Sequence, residues 1–190
     1  MSTRWGLLLR GVNVGGVKVT SAALRESLST AGFADVRTVL ASGNALVTDA
    51  SSTAAGATAA TVRARAEAAL LATFDREVRV IVRTQEELAA VAAACPYASD
   101  STTHHAYVVF FADREAASAS YEQLGAALAD PPGREVDADE QIALGDGVVY
   151  WWCPRGSSLS TPVSKATDKH SRGVLTTTRN LRTVLRLTAG

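Results

Sequence analysis

The order of apolar strands and amphipathic helices along residues 1–96 is the feature that most constrains the fold of this chain. The pattern switches between the two-residue period of a strand and the 3.6-residue period of a helix. It predicts, in chain order, a strand, a helix, two strands, a helix and a strand: Trp5–Leu9, Thr20–Ala31, Asp35–Leu40, Asn44–Thr48, a helix that follows the loop 50–61 and ends near Phe74, and Glu77–Arg83. This β-α-β-β-α-β order is typical of the split βαβ, or ferredoxin-like, arrangement.

Residues at the helix ends support these bounds. Thr20 or Ser21 is a suitable N-cap for the first helix, and Gly32 is a suitable stop after it. A further helix is predicted from Thr84, which opens a T-x-x-E capping box, and it must end before Pro96.

The same topology makes a second prediction, because it places the first and third strands in the middle of the sheet. Leu7–Leu9 and Ala45–Val47 are continuously apolar, as strands with two covered faces should be. The predicted edge strands, 36–39 and 77–83, mix polar and apolar residues, and the latter alternates like a half-buried strand.

A second cycle of elements begins after the segment 96–101. It predicts a strand, a helix and two strands, at Ala106–Phe111, Arg114–Leu128, Gln141–Leu144 and Val148–Cys153. The sequence therefore predicts an α+β protein with a tandem of two ferredoxin-like subdomains packed together. Residues 1–96 form the first subdomain and residues 97–190 the second, which ends in a basic helix.

That last helix is predicted from about Arg179 to Leu187, with N-cap oxygens from the threonines 176–178. Arg179, Arg182 and Arg186 would then share one face, with Asn180 at the start of the helix. Such a face either contacts phosphates, together with nearby lysines and arginines, or is solvated and paired with acids.

The distribution of charge is uneven, although the formal net charge is zero. Residues 113–146 hold nine acidic and two basic residues, whereas residues 155–186 hold seven basic residues and one acid. A neutral total gives no overall field that would attract nucleic acid or a membrane, so any such attraction must be local. The acidic segment Asp137–Glu140 is expected to be a solvated turn.

The cysteine pattern and the N-terminus bear on the compartment. Cys95 and Cys153 each precede a proline and form no C-x-x-C pair, which favours reduced thiols. The N-terminal apolar run is too short for a signal peptide, and no stretch approaches a membrane span. We expect a cytoplasmic protein that does not associate with membranes.

Three segments resemble the bacterial domain-of-unknown-function 1697 family. They are LLLRGVNVGG with KVTSAALR after it, the segment VRTVLASGNALV, and TTTRNLRTVLRL near the C-terminus. The resemblance spans nearly the whole chain and implies two tandem ferredoxin-like subdomains, with no established activity. The family's pattern has a tryptophan at the position of Leu181, which weakens any role for an aromatic ring there.

The candidate binding residues lie in two glycine-bearing turns that the predicted fold brings together. The first turn, RGVNVGG, leaves the first strand, and the second, SGN, enters the neighbouring antiparallel third strand. Their polar and glycine residues would converge near the N-terminus of the first helix, where free amides favour an anion. The predicted ligand-binding residues are Arg10, Asn13, Gly15, Gly16, Ser42, Gly43 and Asn44, with Arg179, Asn180 and Arg182 added from the basic segment.

The alternative is that both turns are purely structural, with asparagine side chains bonded to their own backbone. Phosphoryl transfer is disfavoured, since Val17 precedes Lys18 and Val19 stands where a Walker motif has serine or threonine. Adjacent His104 and His105 point to opposite faces of a strand and cannot chelate one metal, so no metal site is predicted.

The leading hypothesis is a non-enzymatic protein that binds an anionic ligand, either a nucleotide or a nucleic acid. One alternative is an enzyme acting on a phosphorylated or nucleotide-linked metabolite in the same cleft, with Arg10 as electrostatic stabiliser. A protein–protein interaction module, including a homodimer, is the other. The sequence identifies no cofactor and leaves open whether the protein is an enzyme.

Overall fold

The structure, a computed structural model, describes residues 3–12, 19–40, 43–49, 57–129, 139–170 and 173–189, without the side chains of Asp168 and His170. The chain divides into two compact units. Unit 1 comprises residues 1–90 and 183–190, and unit 2 comprises residues 91–182. The division thus falls at residues 90/91, and the last residues of the chain return to unit 1.

Unit 1 contains a four-stranded antiparallel sheet with the strand order β2-β3-β1-β4. The first and third strands are therefore central, as the split βαβ arrangement requires. Its elements are β1 (Arg4–Leu9), α1 (Ser21–Thr30), β2 (Phe33–Thr38), β3 (Asn44–Asp49), α2 (Ala59–Phe74), β4 (Val80–Thr84) and α3 (Gln85–Ala93), the last of which continues into unit 2.

One face of this sheet packs on α1 and α2. Trp5, Leu7 and Leu9 of β1 lie in a core with apolar side chains that the two helices contribute, among them Leu24, Leu28, Val62, Ala66 and Leu70. Successive side chains of a strand point to opposite faces, so Leu8, Leu46 and Ile81 belong to the other face, and they are also fully buried. Both faces of the central strands are covered, as their continuous apolar runs predict.

Helix caps occur where the sequence predicts them. The Thr20 hydroxyl accepts a hydrogen bond from the Ala23 amide at 3.2 Å, and Gly32 adopts a φ of 84° after α1. Thr84 and Glu87 form the reciprocal capping box of α3: the Thr84 amide donates to Glu87 Oε2 at 2.8 Å and the Glu87 amide to Thr84 Oγ1 at 3.0 Å.

Two predicted edge strands have different bounds in the structure. Strand β2 is Phe33–Thr38 and not Asp35–Leu40, because Phe33 and Ala34 already pair with β3 and Leu40 has a φ of 61°, which is not a strand conformation. Strand β4 begins at Val80 and not at Glu77. Its residues Val80–Arg83 are all buried, so the half-buried alternation predicted for it is wrong.

Unit 2 repeats the arrangement with the strand order β6-β7-β5-β8, again antiparallel. Its elements are β5 (His104–Phe111), α4 (Arg114–Ala129), β6 (Gln141–Gly145), β7 (Val148–Pro154), α5 (Pro162–His170) and β8 (Thr176–Asn180). The core on one face contains Val109, Phe111, Val149, Trp151 and Cys153, packed with residues of α4 and α5. Cys95 and Cys153 are both free thiols.

The fourth strand of this sheet is a correction to the sequence prediction. Thr176–Asn180 is not the start of a helix but strand β8, which pairs with β5 from Phe111↔Thr176 to Tyr107↔Asn180. Three consecutive threonines favour a strand because their branched side chains fit a pleated surface. Helix α6 is Leu181–Thr188, so Arg179 does not share a helix face with Arg182 and Arg186.

Helix α6 begins in unit 2 and ends in unit 1. Asn180 Oδ1 accepts the Arg182 amide at 2.9 Å at the start of the helix. At its other end, Gln85 Nε2 donates to the Leu187 and Thr188 carbonyls at 3.1 and 3.4 Å, and Arg37 Nη2 donates to the Arg186 carbonyl at 3.1 Å. These side chains satisfy carbonyls that lack partners within the helix.

The predicted solvated turn at Asp137–Glu140 is wrong for its last residue, Glu140, which is buried. No helix among the described residues is long and apolar enough to cross a membrane.

Candidate functional site

The two glycine-bearing turns of unit 1 begin side by side. The Leu9 amide donates to the Gly43 carbonyl at 2.9 Å, directly beyond the β1–β3 pair Leu8↔Asn44. Residues that are more than thirty positions apart in the chain therefore meet at one end of the sheet. We call this end, formed by residues 10–12, 39–40, 43–44 and 79 and the start of α1, the rim.

Two more segments join the rim through hydrogen bonds. The Arg10 amide donates to the Arg79 carbonyl at 2.8 Å, which attaches the segment before β4. The Ser21 hydroxyl donates to the Leu40 carbonyl at 3.3 Å, which attaches the N-terminus of α1 to the chain that leaves β2. Four segments of unit 1 thus converge at the rim.

The buried Asn44 side chain is engaged within its own turn. Its Nδ2 donates to the Val39 carbonyl at 3.2 Å, while the Val39 amide donates to the Asn44 carbonyl at 3.0 Å. This amide stabilises the β2–β3 connection, and a role for it in ligand binding stays a prediction. Asn13, Gly15, Gly16 and Ser42 lie outside the described residues.

The charges at the rim are mostly positive. The Arg10 side chain is half-buried, and the exposed Arg79 guanidinium lies 3.5 Å from Glu67 Oε1. The first turn of α1 contains no acidic residue. A helix N-terminus carries partial positive charge, so this end of the sheet is suited chemically to an anion.

The three candidates from the basic segment lie in unit 2 and have distinct surroundings. Arg179 is half-buried, with Nη1 donating to Thr177 Oγ1 at 2.6 Å and to the Thr178 carbonyl at 2.9 Å. Burial lowers the pKa of Arg179 to about 10. Asn180 caps α6, and the exposed Arg182 donates from Nε to the Ser99 carbonyl at 2.7 Å.

Two residues near Arg182 were not among the predicted site residues. Arg155 donates from Nη2 to the Ser101 carbonyl at 2.6 Å, and its backbone amide donates to the Thr103 carbonyl at 3.0 Å. The pKa of His105 is lowered, first by burial and then by the positive charges of Arg155 and Arg182. The sequence carries a signal for this pair, since Arg155 follows β7 and His105 lies at the start of the antiparallel strand β5, which places both at one end of the sheet.

The family model described as "Protein of unknown function (DUF1697)" matches residues 2–150. The chain belongs to this family. The match includes both rim turns and the first two sequence motifs and confirms the resemblance to this family, while the third motif, at residues 176–187, lies beyond the matched range. No curated protein matches the chain.

Among solved structures, the chain is similar to "conserved bacterial protein SP0830 from Streptococcus pneumoniae", with a TM-score of 0.74 and 22% sequence identity. The match covers 99% of this chain and 97% of that one. At this level of identity the similarity establishes the fold alone, which confirms the predicted α+β architecture of two ferredoxin-like subdomains for this DUF1697 member.

Two other solved structures are far less similar. One is an unknown protein from Galdieria sulphuraria, with a TM-score of 0.26 and 13% identity over 95% of this chain and 99% of that one. The other is a putative glycine cleavage system transcriptional repressor, with a TM-score of 0.25 and 10% identity over 95% and 98%. Neither bears on the function.

Proposed function

We propose that this protein binds an anionic ligand, a nucleotide or a nucleic acid, at the rim of unit 1. The observation that supports this most is the hydrogen bond between the Leu9 amide and the Gly43 carbonyl at 2.9 Å, because it joins the two turns that contain the predicted binding residues. We propose binding without chemical conversion, because binding requires no general acid or base among these residues.

The backbone at the rim suits close approach by a charged group. Gly11 has a φ of 69° and Gly43 a φ of 87°, conformations in which side-chain-bearing residues are strained. Apart from its chain neighbours, no atom of the described residues lies within 4 Å of where a Cβ of Gly11 would be. An anion can approach such a backbone to hydrogen-bonding distance without displacing a side chain.

The positive groups at the rim come from different segments, which favours a ligand with more than one contact point. Arg10 follows β1, Arg79 precedes β4, and the α1 N-terminus is attached through Ser21. A nucleotide offers both a phosphate for the guanidinium and helix end and a polar base for an amide such as that of Asn13.

A ligand screen by thermal unfolding tests the proposal. Nucleotides, inorganic phosphate and single-stranded RNA of about ten nucleotides are added to the full chain. A ligand at about 100 times its Kd stabilises the folded state by about 2.7 kcal/mol, which raises Tm by several degrees for a protein of this size. A small-nucleotide site gives a shift that saturates, whereas nucleic-acid binding weakens steeply between about 50 and 200 mM salt.

Arg10→Gln and Asn13→Ala should each remove most of that shift. The matched control is Arg63→Gln, which removes one positive charge from the start of α2. That helix follows β3, whose last residues pair with the first residues of β1, so the control lies at the opposite end of the sheet. No shift with any ligand, or equal loss in the control, would contradict the proposal. Conversion of the nucleotide during incubation would favour the enzyme alternative.

A further inference from the structure

Two exposed guanidinium groups of unit 2 are held by a single short segment of backbone. Arg155 donates from Nη2 to the Ser101 carbonyl at 2.6 Å, and Arg182 donates from Nε to the Ser99 carbonyl at 2.7 Å. Residues two apart in a chain have Cα atoms separated by at most about 7 Å. Both guanidinium groups are therefore anchored within three consecutive residues of backbone, although the two arginines are 27 positions apart in sequence.

The surroundings provide no opposite charge. Three other arginines form ion pairs with carboxylates, in Arg65–Asp49, Arg79–Glu67 and Arg114–Asp146. In the part of the chain that the structure describes, no carboxylate lies within ion-pair distance of Arg155 or Arg182. Like charges held together without a counter-charge repel each other, and an anion bound between them would relieve this repulsion.

A third basic side chain lies near these two. His105 is the second residue of β5 and pairs across the sheet with Cys153, two residues before Arg155. The charges of both arginines contribute to the lowered pKa of His105, so both act on the imidazole. The half-buried ring of His105 contacts the edge of Tyr107, with 5.8 Å between their centroids.

We propose that Arg155, Arg182 and His105 form a second anion site, within residues 91–182, that binds a phosphate group. Each guanidinium carries five N–H donors and makes one side-chain hydrogen bond to the described protein, so donors remain for a bidentate contact with phosphate oxygens. The Ser99 and Ser101 carbonyls fix both side chains before a ligand arrives, which lowers the entropic cost of binding.

The aromatic rings on the same face of the sheet as His105 favour recognition of the phosphate over recognition of a base. Tyr107 contacts the His105 ring and also packs on Trp151, with 5.0 Å between the Tyr107 and Trp151 centroids. These rings are therefore engaged by the protein's own aromatic side chains. Phosphate can come from a small phosphorylated molecule or from a nucleic-acid backbone, and the site chemistry is the same for both.

Calorimetric titration of the full chain with inorganic phosphate, a mononucleotide and single-stranded RNA of about ten nucleotides tests this site. In the double variant Arg155→Gln/Arg182→Gln, the affinity for phosphate should fall by about 10- to 100-fold, as loss of charged hydrogen bonds predicts. Arg25→Gln, an exposed arginine on α1, is the matched control and should bind as the wild type does. The same 10- to 100-fold loss should appear when the double variant is made in an Arg10→Gln background, which separates this site from the rim.

The three ligands distinguish the source of the phosphate. Similar affinity for phosphate and mononucleotide, lost in the double variant, supports a small-molecule ligand. Much tighter RNA binding with a steep salt dependence, also lost in the double variant, supports a nucleic-acid backbone. Binding that does not depend on Arg155 and Arg182, or no binding of any of the three ligands, would overturn the proposal.

A second measurement avoids any effect of these substitutions on folding. The imidazole signals of His105 in the wild-type protein, assigned with His105→Gln, should shift in NMR spectra as phosphate is added, and the shift should saturate. An unchanged His105 signal in a folded sample at saturating phosphate would rule the site out.

Discussion

Trp151 donates from its indole Nε1 to Glu140 Oε1 at 2.6 Å, and both side chains are buried in unit 2. The other oxygen of Glu140 accepts the Val163 amide at 3.4 Å in the first turn of α5. The carboxyl group of Glu140, the residue before β6, thus links the central strand β7 to the N-terminus of α5. An acidic side chain at such a terminus is favourable electrostatically.

Glu140→Ala should destabilise unit 2, because it leaves the indole N–H and a buried amide without their acceptor. An unsatisfied buried polar group costs about 1–3 kcal/mol, and urea denaturation followed by tryptophan fluorescence measures the loss. Glu140→Gln keeps one carbonyl acceptor and should cost less. Exposed Glu122→Ala is the control, and an equal effect there would contradict the role assigned to Glu140.

Gly6 in β1 lies close to α3, and a Cβ at residue 6 would overlap Leu88 Cδ1, so the Leu88 side chain would have to shift. Gly6→Ala should cost about 1–3 kcal/mol through overpacking, and Leu88→Ala about 2–5 kcal/mol through loss of a fully buried side chain. The double variant should be more stable than the sum of the two losses predicts. Additive free energies of unfolding would show that Leu88 does not limit residue 6.

His105 should make stability depend on pH below neutrality. Its lowered pKa means that the unfolded chain takes up a proton before the folded state does, so the free energy of unfolding falls as pH drops below about 6.5 and through the folded pKa. His105→Gln should reduce this fall between about pH 7 and pH 5. Arg155→Gln should raise the His105 pKa, measured by NMR titration, and an unchanged value would refute the coupling.

Two tyrosines should ionise only in strongly alkaline solution. Burial is the main cause that raises the pKa of Tyr97 and of Tyr150 to about 12, and the Tyr150 hydroxyl also donates to the Val91 carbonyl at 2.8 Å. The unfolded chain loses these protons first, so stability should fall as pH rises above about 10. Tyr150→Phe should remove part of the late absorbance change near about 295 nm; an identical titration curve would contradict this.

The fold was predictable where a residue's environment is set by its near neighbours in sequence. Leu7–Leu9 are apolar in succession because β1 is covered on both faces, and the Thr84 capping box lies within four residues. Strand β8 was missed because threonines serve equally as N-cap residues and as strand residues. Pairing with the distant strand β5 decides between these two roles, and the residue pattern of the segment itself does not reveal that pairing.

The same reasoning applies to the candidate sites. The convergence of Arg10 and Gly43 follows from strand order, so topology was enough to place them together. The burial of Glu140 depends on Trp151, eleven positions away, and on an amide of α5. The anchoring of Arg155 and Arg182 on one segment depends on the backbone at residues 99–101, which no local pattern predicts.

Gln85 and Arg37 of unit 1 donate hydrogen bonds to carbonyls at the C-terminal end of helix α6. In sequence, residues 91–182 lie between this end of the helix and the rest of unit 1. A ribosome must therefore produce all of unit 2 before unit 1 can acquire its last helix. While unit 2 is being synthesised, the sheet of unit 1 lacks residues 183–190. Folding of unit 1 to its final form is consequently a late event in translation, and ribosome stalling within β8 would leave it incomplete.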